Sequence, residues 1–296
     1  MSDFAQLLAN GLVTGSILAL AAIGVSLVYG ILRIVNFAQG DYITYGAYAA
    51  VVVNITWGGS MVLATITAVV AIAALGVGLE FGLWRPMRRR GAGLFTLFVT
   101  SLGLALVMRG VLYLTASPNP RVYGIDQYQV YDIHGVRLSE SQVIAIVLSF
   151  AAIFAVATLF AKTRLGKQMR ALSENPSLAS VSGVDTDRIV VYTWALAGGL
   201  AGLAGVLQGL IQSSFDPNMG LALLLPVFAA VILGGIGSAY GALVGGLLLG
   251  IAMEVSTWSE LAGGISPIWK PVVSFVVLLL VLIARPTGLF GRAGTA

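Results

Sequence analysis

Cysteine is absent from the 296 residues, and histidine occurs once, as His134. The first absence excludes disulfides, thiolate metal sites and a thiol nucleophile. The second argues against a histidine-based metal centre. Charge is also scarce, at 9% of the chain, against roughly a quarter in an average soluble domain. No phosphate-binding P-loop is present: Gly166-Lys167 is the sole Gly-Lys pair, it precedes Gln168, and no glycine lies five residues before Gly166. A chain of this kind does not bind ATP through that motif, so any ATP-driven work must borrow an engine. Nor is there a basic n-region of a cleavable signal peptide, so the first apolar run is expected to stay as a membrane span.

What the chain has is oil. Hydrophobic residues make up 58% of it, with a mean hydropathy of +0.96. So little charged surface implies an all-α polytopic membrane protein, expected to form one transmembrane domain over 1–296. Spans of about 20 apolar residues are predicted at 8–32, 60–82, 92–114, 142–161, 189–211 and 269–284, with a weaker one at 34–54. The uncharged run 221–253 is about 50 Å of helix, too long for one crossing. GGIGSAYG (234–241) should break it into a segment near 221–236 and a helix near 240–258. That makes nine segments, with interrupted or re-entrant helices at 34–54 and 221–236. These two interruptions sit in corresponding places in the two halves, a pattern left by internal inverted duplication in transporters. Glycines 198, 202, 205 and 209, and 237, 241 and 245, form faces that let helices approach closely. Packing within the subunit is the preferred reading; a dimer seam is the alternative.

Basic residues set the expected orientation. RPMRRR (85–90), the cluster Lys162, Arg164, Lys167, Arg170 and Arg188, and the tail with Arg285 and Arg292 should face the cytoplasm. The loop 115–141, where Arg121 and Arg137 are balanced by Asp126, Asp132 and Glu140, should face outward, as should the N-terminus with Asp3. Trp57, Tyr113, Trp258 and Trp269 then fall at outer ends and Trp84 at an inner end, where aromatic side chains favour the interface.

The strip TRLGKQMRALSENPSLASVSGVDTDR (163–188) carries seven charges between two uncharged runs. Leu165, Met169 and Leu172 form one apolar stripe. Asn175 suits a helix N-cap, Pro176 the first helical position and Gly183 the residue past a helix end. A short helix over 176–182 is therefore predicted on the membrane surface, with Asp185 or Asp187 capping the next span. This is longer than the 2–8 residues usual between helices of a bundle, so it reads as a handle for a soluble partner.

The strip resembles the cytoplasmic coupling loop of bacterial ABC-importer permeases, and more narrowly the permease family for branched-chain amino acids and its relatives for other amino acids, amides and urea. GLVTGSILALAAIGVSLVYGILRIVNFAQGDYITYGAY near the N-terminus, GGIGSAYGALVGGLLLG and the closing RPTGLF are similar to the same family, so the likeness runs over nearly the whole chain. It implies a multi-pass subunit of the bacterial inner membrane. Its partners would be a second, homologous but different permease chain, two cytoplasmic ATP-binding subunits and an external solute-binding protein, with lipid around it. No nucleic acid, cofactor or covalent chemistry is expected. The resemblance assigns docking on the ATPase to Glu174, Asn175, Pro176, Leu178, Ala179 and Gly183.

A second polar stretch, RIVNFAQGDYITYGAY (33–48), lies near a predicted inner end. A charge at the centre of a span costs at least about 2.5–3.5 kcal/mol on insertion scales. Asn36, Gln39, Asp41 and Tyr42 read either as a substrate path beside a helix broken at Gly40, or as a polar turn at the inner surface. Glu80, Arg109 and Glu254, near span ends, are expected to snorkel or sit at the surface; Glu254 could also face a partner chain. The function that the resemblance implies is translocation of branched-chain or other neutral amino acids. Urea or short amides are the nearest alternatives, followed by a stand-alone secondary transporter.

Overall fold

The computed structural model describes residues 2–290 except 117, 126–128, 134, 213, 259–264 and 286. Asp126, His134 and Arg292, invoked above, lie outside the described residues. The helices are α1 (Ser2–Leu32), α2 (Gln39–Val51), α3 (Met61–Leu79), α4 (Arg85–Arg89), α5 (Leu94–Ala116), α6 (Glu140–Lys162), α7 (Arg164–Glu174), α8 (Pro176–Val181), α9 (Thr186–Ile211), α10 (Met219–Gly234), α11 (Ala239–Val255) and α12 (Lys270–Ala284). Wide π turns extend α2 to Thr56 and join α3 to α4, so the third span runs on to Arg89 through the arginine segment. Among the described residues six helices are long and apolar enough to cross a membrane, and α10 and α11 are shorter apolar ones.

The helices sort by burial. The cores of α1 and α9 are enclosed by protein, whereas α3, α5, α6 and α12 turn Val70, Phe95, Leu106, Leu114, Phe154 and Ile283 outward. In water such a surface would be an aggregation patch; against lipid it is the expected face. The glycine-rich faces pack inside the chain: Gly202 lies against Ala68 and Ile72, and Gly245 against Ala230. Both named glycine series are thus accounted for by intrasubunit packing.

Contacts distant in sequence divide the bundle into two ends. At one, Gln6 clamps the backbone of Arg137 from both sides, its Nε2 donating to the carbonyl at 2.9 Å and its Oε1 accepting from the N–H at 2.7 Å. Asn54 Oδ1 accepts from the Gly124 N–H at 2.8 Å at the same end. An antiparallel hairpin, β1 (Val130–Ile133) with β2 (Val136–Ser139), sits in this loop, and a single antiparallel bridge pairs Arg121 with Phe215. At the other end lie Leu32, α7, α8 and the turn 235–238 between α10 and α11. The chain after α12 returns there, with the Leu289 and Phe290 N–H groups donating to the Leu233 and Gly234 carbonyls at 2.8 and 3.0 Å.

The predicted split of 221–253 falls at Gly235–Ser238, where Gly235 and Gly237 adopt φ of 103° and 85°. The break near residue 40 differs from expectation. It lies at 33–38, where Arg33 is left-handed (φ 57°), and Gly40 is inside the first turn of α2. After Leu32 the chain turns back into the bundle and starts α2 beside Gly24 of α1 and Ala197 of α9. Gly24 is eight residues from Leu32, so α2 begins roughly 12 Å inside the bundle.

There α2 meets α10 head to head. A β-carbon at Gly40 would lie 2.5 Å from the Gly220 carbonyl oxygen, and the Gly220 N–H donates to Thr44 Oγ1 at 2.9 Å. From this crossing α2 runs to the end holding Gly124 and α10 to the end holding α7.

Candidate functional site

Two places carry the polar residues singled out by sequence. The first is α7–α8. Thr163 caps α7 by accepting from the Gly166 N–H at 3.1 Å, and Asn175 caps α8 by accepting from the Leu178 N–H at 3.0 Å. Pro176 occupies the first turn and Gly183 (φ 84°) follows its end, as the caps predict. Asp185 then caps α9 through the Arg188 N–H at 3.1 Å. A small core of Ile31, Met169, Leu172, Ala179 and Ile189 seats the segment on α1 and α9. Ala179 is 4% exposed and belongs to that seat, so its side chain is turned away from any docking partner. The outer face of α8 instead shows Leu178, 63% exposed, and Val181, 88% exposed. Val181 was missed in sequence because an 88%-exposed valine looks like any other valine in a capped helix. Glu174, Asn175, Pro176 and Gly183 are exposed.

The base of this segment is pinned. Arg85 pairs with Asp187, and Arg89 reaches the same carboxylate at 3.3 Å, tying the end of α4 to the start of α9.

The second place is the start of α2. Asn36, Gln39, Asp41 and Tyr42 are all fully buried, so the reading as a surface turn is set aside. Asp41 is locked by Arg109 of α5, with Nε–Oδ1 3.2 Å and Nη2–Oδ2 3.4 Å. Arg109 therefore does not snorkel; it neutralises a carboxylate that is 1% exposed. Glu80 likewise is 2% exposed and held by both guanidinium nitrogens of Arg88, and Glu254 pairs with Lys270 at 2.7 Å while accepting from Thr14 at 3.2 Å. All three near-end charges are paired within the chain, Glu80 and Glu254 as buried acids and Arg109 as a half-buried base.

Gln39 Nε2 donates to the Ala197 carbonyl at 3.4 Å, but its Oε1 has no partner, nor does Asn36 Nδ2. The Tyr42 hydroxyl lies beside the Trp84 indole and the Asn36 amide without reaching hydrogen-bond geometry. Trp84 is wholly buried and stacks on Trp194, with centroids 5.6 Å apart and planes 5° apart. It is thus a core residue, not the inner-interface aromatic expected from sequence. The arrangement holds no nucleophile–base pair; it is a polar seam inside a helical bundle, with a small protruding helix at one end. That architecture is the one of a polytopic helical membrane protein.

Comparison with known proteins gives the particular family. A family model described as branched-chain amino acid transport system / permease component matches residues 7–282, and the chain belongs to that family. It is 33% identical to the high-affinity branched-chain amino acid transport system permease protein LivH of Escherichia coli K12, across 98% of this chain and 96% of LivH. Identity to the corresponding BraD protein of Pseudomonas aeruginosa is 31%, over the same shares. Among solved structures, PsaBC from Streptococcus pneumoniae in complex with Fab matches with a TM-score of 0.51 at 14% identity, covering 94% of this chain and 91% of that one, a likeness of fold. The protein is a multi-pass membrane permease of the ABC-importer class and not an enzyme.

Proposed function

We propose that this chain carries branched-chain or other neutral amino acids across the bacterial inner membrane as one of two different permease subunits. Two cytoplasmic ATPases would drive it, and an external solute-binding protein would deliver the substrate. The observation that supports this reading most is α8, a capped helix seated by its inner face and presenting Leu178 and Val181 to solvent. On this reading 163–188 is the cytoplasmic coupling loop and Glu174, Asn175, Pro176, Leu178 and Gly183 border the ATPase contact, with Ala179 acting from beneath. The end of the bundle holding α7 and α8 also gathers Arg85, Arg88, Arg164, Lys167, Arg170 and Arg188, the distribution expected of a cytoplasmic face. The N-terminus and the loop 115–141 are then external and the C-terminus cytoplasmic. Asn36, Gln39, Asp41 and Tyr42 are proposed to shape the path as its wall, with Asp41 held in place by Arg109.

Reconstitution tests the function. Proteoliposomes holding the chain with its co-purifying ATPases and permease partner, supplied with the binding protein, should accumulate leucine only when ATP is present. Uptake by the chain alone, without ATP, would restore the stand-alone transporter; uptake of urea but not leucine would move the substrate to the amide branch. A second test concerns the handle. Leu178→Asp puts a charge on the apolar docking face, and loss of one such anchor costs about 2 kcal/mol, roughly thirtyfold in affinity for the ATPase. Co-purification of the ATPase should fall accordingly while the permease remains in the membrane. Undiminished co-purification would count against α8 as the contact.

A further inference from the structure

Arg33 takes the left-handed conformation (φ 57°), the single residue other than glycine to do so among the described residues. A side chain with a β-carbon is strained there, and glycine or asparagine is the usual choice just past a helix end. Arg33 does end a helix: its N–H donates to the Tyr29 carbonyl at 2.9 Å, the bond that closes α1 through a left-handed residue. Backbone alone would favour glycine at this place. The arginine side chain therefore has a task that glycine could not perform.

That side chain reaches the coupling segment. Its Nη2 donates to the Ser173 carbonyl, in the last turn of α7, at 3.3 Å. The carbonyls of a last turn have no donor within their own helix, and three residues beyond Ser173 stands Pro176, which has no N–H to offer. The guanidinium also sits at the negative end of α7, where a cation is favoured. It lies 6.0 Å from the centre of the Tyr29 ring, which steadies it from the α1 side. One residue thus closes two helices, α1 through its backbone and α7 through its side chain.

Beyond Arg33 the chain runs directly into the polar seam. The turn 33–38 is fastened to α5, where Ser101 Oγ accepts from the Phe37 N–H at 3.2 Å. Asn36 Oδ1 accepts from the Ala38 N–H at 3.2 Å and shapes the start of α2. Gln39 and Asp41 follow in the first turn of that helix. On the other side, Ser173 is two residues before Asn175, the cap of α8. The apolar seat of Ile31, Met169, Leu172, Ala179 and Ile189 also joins the segment to α1. Apolar contact is non-directional, however, and holds no one atom against another; the Arg33–Ser173 bond does.

We infer that Arg33 is a positioning residue for the transport cycle: it ties the last turn of α7 to the turn 33–38, so that displacement of α8 by the ATPase is passed to Asn36, Gln39 and Asp41 in the wall of the path. The inference rests on the proposed function and adds to it the residue that carries motion from the handle to the path. A side chain that served as a helix cap alone would stabilise the chain and leave the link between ATP hydrolysis and uptake as it was.

The whole importer in proteoliposomes, with leucine uptake and ATP hydrolysis measured in one sample, provides the test. Arg33→Gly should accumulate and melt close to the parent temperature, since relief of the strained φ offsets the lost surface contacts. Leucine moved per ATP should nevertheless fall about fivefold, within the range by which a single position in such a network modulates coupling. Arg33→Lys, whose amine can still donate to the Ser173 carbonyl, should keep most of the parent ratio. Arg33→Asn suits the same φ without reaching α7, and it takes the place of Arg33→Gly if that variant fails to accumulate. A parent-like ratio of leucine to ATP in the glycine or asparagine variant would overturn the role and leave the function standing. So would uptake and hydrolysis that fall together with a large drop in melting temperature, which would make Arg33 a cap and nothing more. A parent importer that moves no leucine would remove the function and this role with it.

Discussion

Gly220→Val should abolish the folded permease. At the head-to-head crossing, a β-carbon on Gly220 would lie 2.5 Å from both the Gly40 carbonyl carbon and Thr44 Oγ1, and a β-carbon on Gly40 would meet the Gly220 carbonyl oxygen at the same distance. Backbone cannot rotate away as a side chain can. Ordinary overpacking costs about 1–3 kcal/mol, and here two helix starts must separate while the Gly220–Thr44 hydrogen bond is lost. The expected cost is at or above the upper end of that range, seen as loss of the monodisperse peak in detergent or a large fall in its melting temperature. Gly103→Ala is the control, because nothing lies within 4 Å of a β-carbon there. It should match or exceed the parent in stability, since alanine favours a helix by up to about 1 kcal/mol over glycine. A Gly220→Val protein as stable as the parent would show that the helices do not cross at this spacing.

The second large effect concerns Asp41 and Arg109. The carboxylate is 1% exposed and the arginine side chain 15%. Removing one partner of a buried pair leaves an uncompensated charge, at a cost of about 3–5 kcal/mol, whereas replacing both is often neutral. Asp41→Asn and Arg109→Met alone should each destabilise by that order, and the double variant should recover most of the loss. Thermal melts of the four proteins form the cycle. Additive losses would mean that the two groups do not depend on one another. The recovered double variant also separates structure from transport: if it folds but moves no leucine, the pair shapes the path as well as the bundle.

Much of this architecture was legible in the residues. Hydropathy runs placed the long spans, and GGIGSAYG marked the α10–α11 turn because glycines there take positive φ. Asn175, Pro176 and Gly183 specified α8, and the start of α9 was narrowed to a cap by Asp185 or Asp187, of which the structure uses Asp185, since capping depends on neighbours within three or four positions. What stayed hidden depends on partners far along the chain. The polar stretch 36–42 was placed by counting residues from a predicted inner end, but residues 33–38 carry it back toward Ala197 and Gly220. Depth in a bundle is set by such contacts, and length alone does not report it. Arg109 looked like a surface charge for the same reason, as its partner Asp41 is recognised only once the helices are packed, whereas Glu80 finds Arg88 eight residues on along the same span, past the π turn. Trp84 was read as an interface aromatic because it follows an apolar run; the π turn at Glu80–Trp84 instead rotates it onto Trp194.

The meeting of α2 and α10 has an electrical consequence. Each helix N-terminus carries about half a positive charge, and here two are brought together at depth, where little water can screen them. The one acid in the first turn of α2, Asp41, is already neutralised by Arg109. At the start of α10 the offset to this charge comes from Asp216, whose carboxylate accepts the Asn218 N–H at 2.7 Å, so each helix end at this crossing has its own nearby acid.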